Sequence, residues 1–122
     1  MFKSTEAKNV ACNAIVELLD TTSGPGWLSL YTSNDTKVAS LALDNPAFLS
    51  AVDGTAVART ITDATALISG TVSYFEMQTG DGSMVWGGSV SLPTFTGDMI
   101  LNTVNITEDT TVSVSSATYV VP

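Results

Sequence analysis

The chain has 122 residues, enough for one domain with its own core and too few to suggest two. Only 13% of them are charged, against roughly 25% in typical domains, so serine and threonine carry the polarity, and twelve acids against four bases leave a net charge of −8. Such a surface repels phosphates and argues against nucleic acid or an anionic membrane as a partner, while the absence of histidine removes the commonest general base, the usual zinc ligand and every Ser-His or Cys-His nucleophile system.

The first ten residues, MFKSTEAKNV, carry acids and amides where a secretory signal would place an apolar run, and no stretch approaches the roughly 20 apolar residues that span a bilayer. A soluble protein made in the cytosol, without an export signal of its own, is expected. Segment 4–20, STEAKNVACNAIVELLD, starts with Ser4 as a candidate N-cap and Glu6 in the first turn, where the helix dipole favours an acid. Ala7, Val10, Ala11, Ala14, Ile15, Leu18 and Leu19 follow the i, i+3, i+4, i+7 rule, which predicts an amphipathic helix with one broad apolar face. Cys12, the single cysteine, falls inside it among Ala11, Ala14 and Ile15. It cannot form an internal disulfide, requires no oxidising compartment, and reads as packing rather than as a reactive thiol. TTSGPG at 21–26 ends the helix, because two glycines flank a proline that cannot continue it.

From Trp27 onward β-branched residues dominate and the apolar period changes to two. The predicted strands are WLSLYTS, KVASLAL, AVARTIT, TVSYFEMQ, SMVWGGSVS, MILNTV, TTVSVSS and ATYVV. Their separators are turn-like: Asn34-Asp35, Asp44-Asn45-Pro46, Asp53-Gly54, Gly80-Asp81-Gly82, Pro93 with Gly97, and Glu108-Asp109. In 70–90 the two apolar-rich runs flank an Asp-Gly pair, the strongest short-range hairpin signal, and Val72 and Tyr74 share one face with Glu76 while Ser73, Phe75 and Met77 take the other. The expected fold is therefore mainly β: a single domain, 1–122, with a helix and linker over 1–26 and an antiparallel β-sandwich or jelly roll of about eight strands over 27–122. The helix must bury its face on one end of the sandwich or on a neighbouring molecule.

Chemistry is sparse along this chain. Most of the twelve acids stand at predicted turns, where backbone capping accounts for them. Glu76 lies within a strand and reads as an edge or solvent-face residue. Asp81 in TGDGS and Asp35 in SNDT lack the further acids at alternate positions that a calcium loop supplies. Gly87 and Gly88 make no phosphate loop, since no lysine and no helix follow, and mark a bulge or a close approach between strands. Trp27, Tyr31, Phe48, Tyr74, Phe75 and Trp86 could form a sugar platform, but one or two per strand is how a sandwich core is filled, so core is the expectation. No catalytic, metal or cofactor residue emerges, and no enzyme is expected.

VSYFEMQTGDGSMVWGGSV, an aromatic strand, a D-G turn, an apolar strand and a G-S-V end, resembles a pattern in a family of small virion proteins of tailed bacteriophages. NAIVELLD then GWLSLYTS near the start, VASLALDNPAF in the middle and LNTVNITEDTTVSVSSATY at the end follow in the same order. The resemblance covers nearly the whole chain and rests on that order, because each piece is largely strand and turn. It implies a non-enzymatic component of the particle, above all a head decoration or cement protein on the outer capsid surface that staples neighbouring major capsid subunits and associates with itself at capsid symmetry positions. It carries no catalytic residues. Modest contacts multiplied by symmetry suffice for such a role. The terminal segments offer arms for reaching a neighbour, with Met1, Phe2, Lys3, Tyr119, Val120, Val121 and Pro122 as candidate partner contacts; a frayed end and an ordinary last strand account for them equally well. A neck or tail component and a carbohydrate-binding host-attachment module remain open beside the cement protein.

Overall fold

A computed structural model describes residues 4–20, 25–90, 99–101 and 105–120. The expected linker TTSG at 21–24, the separator around Pro93 and Gly97, and the extreme termini lie outside them. Helix α1 (Thr5–Glu17) begins where the capping signal placed it: Ser4 is extended, and its hydroxyl accepts a hydrogen bond from the Ala7 N–H at 3.1 Å. It passes into a single 3-10 turn, Leu18–Asp20. Cys12, Val16 and Leu19 are buried, whereas Val10 is 64% and Leu18 48% exposed. The buried face is therefore turned from the predicted one: Ala7, Val10, Ala14 and Leu18 of the predicted stripe are exposed, and Cys12 and Val16, outside that stripe, are buried with Leu19.

The remainder is mainly β, in antiparallel sheets, with eleven strands among the described residues. They are β1 (Trp27–Tyr31), β2 (Lys37–Ala42), β3 (Thr55–Val57), β4 (Ala64–Thr65), β5 (Gly70–Thr71), β6 (Tyr74–Gln78), β7 (Met84–Ser89), β8 (Met99–Leu101), β9 (Asn105–Ile106), β10 (Thr111–Val112) and β11 (Val114–Val120). A four-stranded sheet, β2-β1-β6-β7, forms one layer, and a three-stranded sheet, β3-β11-β8, contributes to the other. Two short pairs, β10 with β4 and β5 with β9, extend the framework. The expectation of about eight strands holds in outline. The last two predicted strands fuse across Val114–Val120, AVARTIT keeps regular pairing only at its start, and four of the eleven are two-residue pieces too short to carry a periodic signal.

Alternation makes the core. Leu28 and Leu30 of β1 oppose Leu41 and Ala39 of β2 on one side and Met77 and Phe75 of β6 on the other. All six are at most 1% exposed, and a fully buried aliphatic or aromatic side chain contributes roughly 1.5–3 kcal/mol. Between Leu30 and Tyr31 the register skips Val38, so that Val38 and Ala39 are both buried. Trp86 of β7 reaches across the layers to Tyr119 of β11, 4.8 Å between ring centroids, and to Phe48 at 5.6 Å. The helix closes the space beside them: Asn9 and Asn13 accept hydrogen bonds from the backbone N–H groups of Gly54 and Ala51, each at 2.8 Å.

The turns behave as their residues dictate. Asp35, Asp53 and Asp109 take positive φ at three predicted separators. Asp53 and Gly54 (φ 53 and 77) form a two-residue turn closed by reciprocal bonds between Val52 and Thr55 at 2.9 and 3.0 Å. The β6–β7 connection holds Gly80, Asp81 and Gly82, the separator read from the sequence. It is closed by Thr79 N–H to Ser83 O at 2.8 Å, leaving Gly80, Asp81 and Gly82 in the loop with Gly82 at φ 92. Replacing Gly82 by valine is expected to cost about 1–3 kcal/mol, because a β-branched residue is strained at that φ. Asp81→Ala, which removes an exposed carboxylate, should lower the melting temperature less. Equal and negligible shifts in the two variants would show that the loop accepts any residue.

Candidate functional site

The outer face of the four-stranded sheet carries the residues that alternate with the core. Trp27, Ser29 and Tyr31 of β1 lie beside Gln78, Glu76 and Tyr74 of β6, with Ser40 of β2 opposite Ser29. The face is tied together by side chains. Ser29, fully buried, donates to Gln78 Oε1 at 2.8 Å and shares a 3.1 Å bond with Ser40, while Gln78 Nε2 donates to the Tyr31 hydroxyl at 3.0 Å and to Glu76 Oε1 at 3.1 Å. Every buried side-chain nitrogen and oxygen among the described residues has a partner. Tyr31 and Tyr74 stack at 5.1 Å with an interplanar angle of 11°, and the Lys37 ammonium sits 5.9 Å from the Tyr31 ring centre.

At the Trp27 end of this face, between β2 and the β6–β7 loop, an open cleft of about 310 Å³ is lined by Trp27, Lys37, Ser40, Gln78 and the loop residues Gly80–Gly82. Asp81 is locked in place by Thr79, whose hydroxyl donates to its Oδ1, and by the Ser83 N–H at 3.3 Å. The Thr79 hydrogen bond, followed by that of Ser83, holds the Asp81 carboxyl below the usual carboxylate range. At the opposite end the Tyr74 hydroxyl donates to Asp35 Oδ1 at 2.6 Å, which, helped by desolvation and the nearby carboxylate charges, pushes the phenol from 10.0 up to about 12. A raised folded value means that the native state holds this proton: its contribution is present below the unfolded value and is lost as pH rises through about 12. Alkaline titration followed by phenolate absorbance should show one tyrosine ionising near pH 12, absent in Tyr74→Phe and moved downward in Asp35→Asn. An unchanged titration in Asp35→Asn would mean that the bond does not form in solution.

A second surface has the opposite character. Ala56 of β3 is buried, so its neighbours Thr55 and Val57 point outward. Thr55 pairs with Val120 of β11 and bridges to Val52, and the Leu49 N–H donates to the Val57 carbonyl at 2.9 Å. This outer face thereby exposes Leu49 (56%), Val52 (68%), Val57 (43%) and Val120 (58%), with Thr55 between Val52 and Val120.

The candidate contacts separate accordingly. Met1, Phe2, Lys3, Val121 and Pro122 lie outside the described residues. Tyr119 is no free arm: it is paired with Ala56 in β11, its ring packs on Trp86, and its carbonyl accepts the Cys12 thiol at 3.6 Å. Val120 remains exposed on the apolar face. Cys12 is fully buried, and desolvation pushes its thiol upward, in keeping with packing. Of the six aromatic residues weighed as a platform, Phe48 and Phe75 are core and Trp86 packs against it, whereas Trp27, Tyr31 and Tyr74 stand on the outer sheet face. Period-two alternation could have found this division, since Trp27 and Tyr31 interleave with Leu28 and Leu30. Val120 was among the candidate contacts, whereas Leu49, Val52 and Val57 were missed because a single aliphatic residue in a turn or short strand carries no local sign of its exposure.

Among the described residues, no group of three or more cysteine, aspartate or glutamate side chains is placed to hold a metal ion, and no helix is long and apolar enough to cross a membrane. No protein-family model, curated protein or solved structure matches the chain.

Proposed function

We propose that this chain is a non-enzymatic structural protein of a tailed-bacteriophage virion, a decoration protein that binds the outer surface of the head and joins neighbouring major capsid subunits. The observation that supports this reading beyond the sequence resemblance is the outward row of Leu49, Val52, Val57 and Val120. Exposed apolar side chains gathered on one face mark protein interaction surfaces, and here Thr55, between Val52 and Val120, and Thr118, opposite Val57, interleave with them as hydrogen-bonding groups. A net charge of −8 leaves shape, apolar contact and hydrogen bonding as the means of attachment. Repetition of the site over a symmetric shell turns a modest contact into tight association, and association of the chain with itself would strengthen it further.

Heads assembled without the protein test the proposal. They should form normally but release DNA at lower temperature and under milder osmotic shock, and the protein should copurify with filled, tailless heads in many copies. Heads of unchanged stability, with tails completed only when the protein is present, would place it at the neck or tail instead.

A further inference from the structure

The cleft beside Trp27 belongs to the other layer of the sandwich from the apolar row and has the reverse chemistry. We propose that it binds a neutral saccharide, a single terminal pyranose ring that stacks on the Trp27 indole and hydrogen-bonds to Lys37, Ser40 and Asp81.

Size is the first reason. A cleft of about 310 Å³ lies at the small end of ligand pockets, which run from roughly 300 to 1,000 Å³, and suits one sugar ring better than an extended polymer. Chemistry is the second. The C–H face of a pyranose is apolar and packs on an aromatic plane, and Trp27 stands half-buried as the one aromatic residue lining the cleft, beside Ser40 and Gln78, while Tyr31 and Tyr74 stack on each other farther along the face. Sugar hydroxyls both donate and accept. Lys37 only donates, the Asp81 carboxylate only accepts, and the Ser40 hydroxyl does either, so the lining matches an alternating set of hydroxyls.

Rigidity is the third. Gln78, 6% exposed, forms the floor and is held by Ser29, Tyr31 and Glu76, while Asp81 is fixed by Thr79 and Ser83. A site that is already ordered loses little entropy when it binds. The rim stays open because a side chain added at Gly82 would meet nothing within 4 Å. Charge then chooses among sugars. With one lysine in the cleft and −8 over the chain, phosphorylated or sialylated rings are repelled and neutral ones are not.

Saturation-transfer-difference NMR on the full chain, with the methyl glycosides of glucose, galactose, mannose, N-acetylglucosamine and rhamnose and with a methyl sialoside as anionic control, decides the question. At least one neutral glycoside should receive saturation, strongest on the protons of one ring face, and the sialoside should not. Trp27→Ala should weaken binding about tenfold, the loss expected for one aromatic contact, and Trp27→Phe should restore most of it. Lys37→Ala, at an exposed position, keeps the test valid if Trp27→Ala fails to fold, and should weaken binding about threefold, as expected for one exposed hydrogen bond. Three results would overturn the proposal: no transfer to any neutral glycoside, transfer to the sialoside alone, or binding that is unchanged in the folded Trp27 and Lys37 variants. The measurement uses the isolated chain, so its failure is distinct from a failure of head attachment.

Discussion

Gly26→Val should lower the stability of the isolated chain by about 3 kcal/mol, the upper part of the range for forcing extra atoms into a packed site. Gly26 immediately precedes β1, and its carbonyl accepts the Leu43 N–H at 3.0 Å. A Cβ at this position would lie 2.7 Å from the Gln78 carbonyl oxygen and 3.2 Å from that of Leu19. Both are backbone atoms that no rotamer change can move. One belongs to β6 and the other to the 3-10 turn, so relief requires the helix to separate from the sheet. Gly82→Val is the natural comparison, because its added carbon meets nothing and only its backbone conformation is strained. Denaturant midpoints of the two variants check the expectation. A Gly26 shift no larger than the Gly82 shift would mean that the helix-to-sheet junction yields easily.

Val52→Asp combined with Val120→Asp should lower the affinity of the protein for heads by about a hundredfold. Two buried aliphatic side chains contribute roughly 1.5–3 kcal/mol each when removed from water, and even the lower end of that sum corresponds to about two orders of magnitude. Both valines are more than half exposed in the isolated chain, at 68% and 58%, so the melting temperature should hardly change. Their carboxylates would carry unpaired charge into an apolar contact, which adds to the effect. Occupancy of heads measured against protein concentration gives the answer. Full occupancy at wild-type concentrations would remove this surface from the attachment and leave the proposed function without its structural support. The same variant should bind a neutral glycoside as the wild type does, because the cleft lies on the other sheet.

Local signals in the sequence determined a good deal. The Ser4 cap, the turns at Asp35, Asp53-Gly54 and Asp109, and the alternation of Leu28 and Leu30 with Trp27, Ser29 and Tyr31 all appear in the structure. Each depends on steric or hydrogen-bonding preferences that act within a few residues. Gly87 is likewise a close approach between strands, since a Cβ there would meet the Phe75 carbonyl oxygen at 2.7 Å. The separators Asp53-Gly54 and Gly80-Asp81-Gly82 likewise form a two-residue and a three-residue loop.

Tertiary structure alone decided which apolar residues stay in water. The helix repeat pointed to Val10 and Leu18, yet Cys12 and Val16 are the residues buried, because the side of the helix that meets the rest of the chain is set by tertiary packing and not by the repeat. Val57 and Ala56 are both apolar neighbours in one strand, yet Ala56 is fully buried on the side the helix packs against and Val57 is 43% exposed. Trp27, Tyr31 and Tyr74 share an outer face with a buried glutamine because register places Gln78 beside Trp27 and Tyr74 beside Tyr31 across strands more than forty positions apart. Capping and turn formation are local energies, whereas burial is a property of what the rest of the chain brings to each face. The cleft face, and the joining of Val120 to the local group Leu49, Val52 and Val57, are therefore products of long-range pairing.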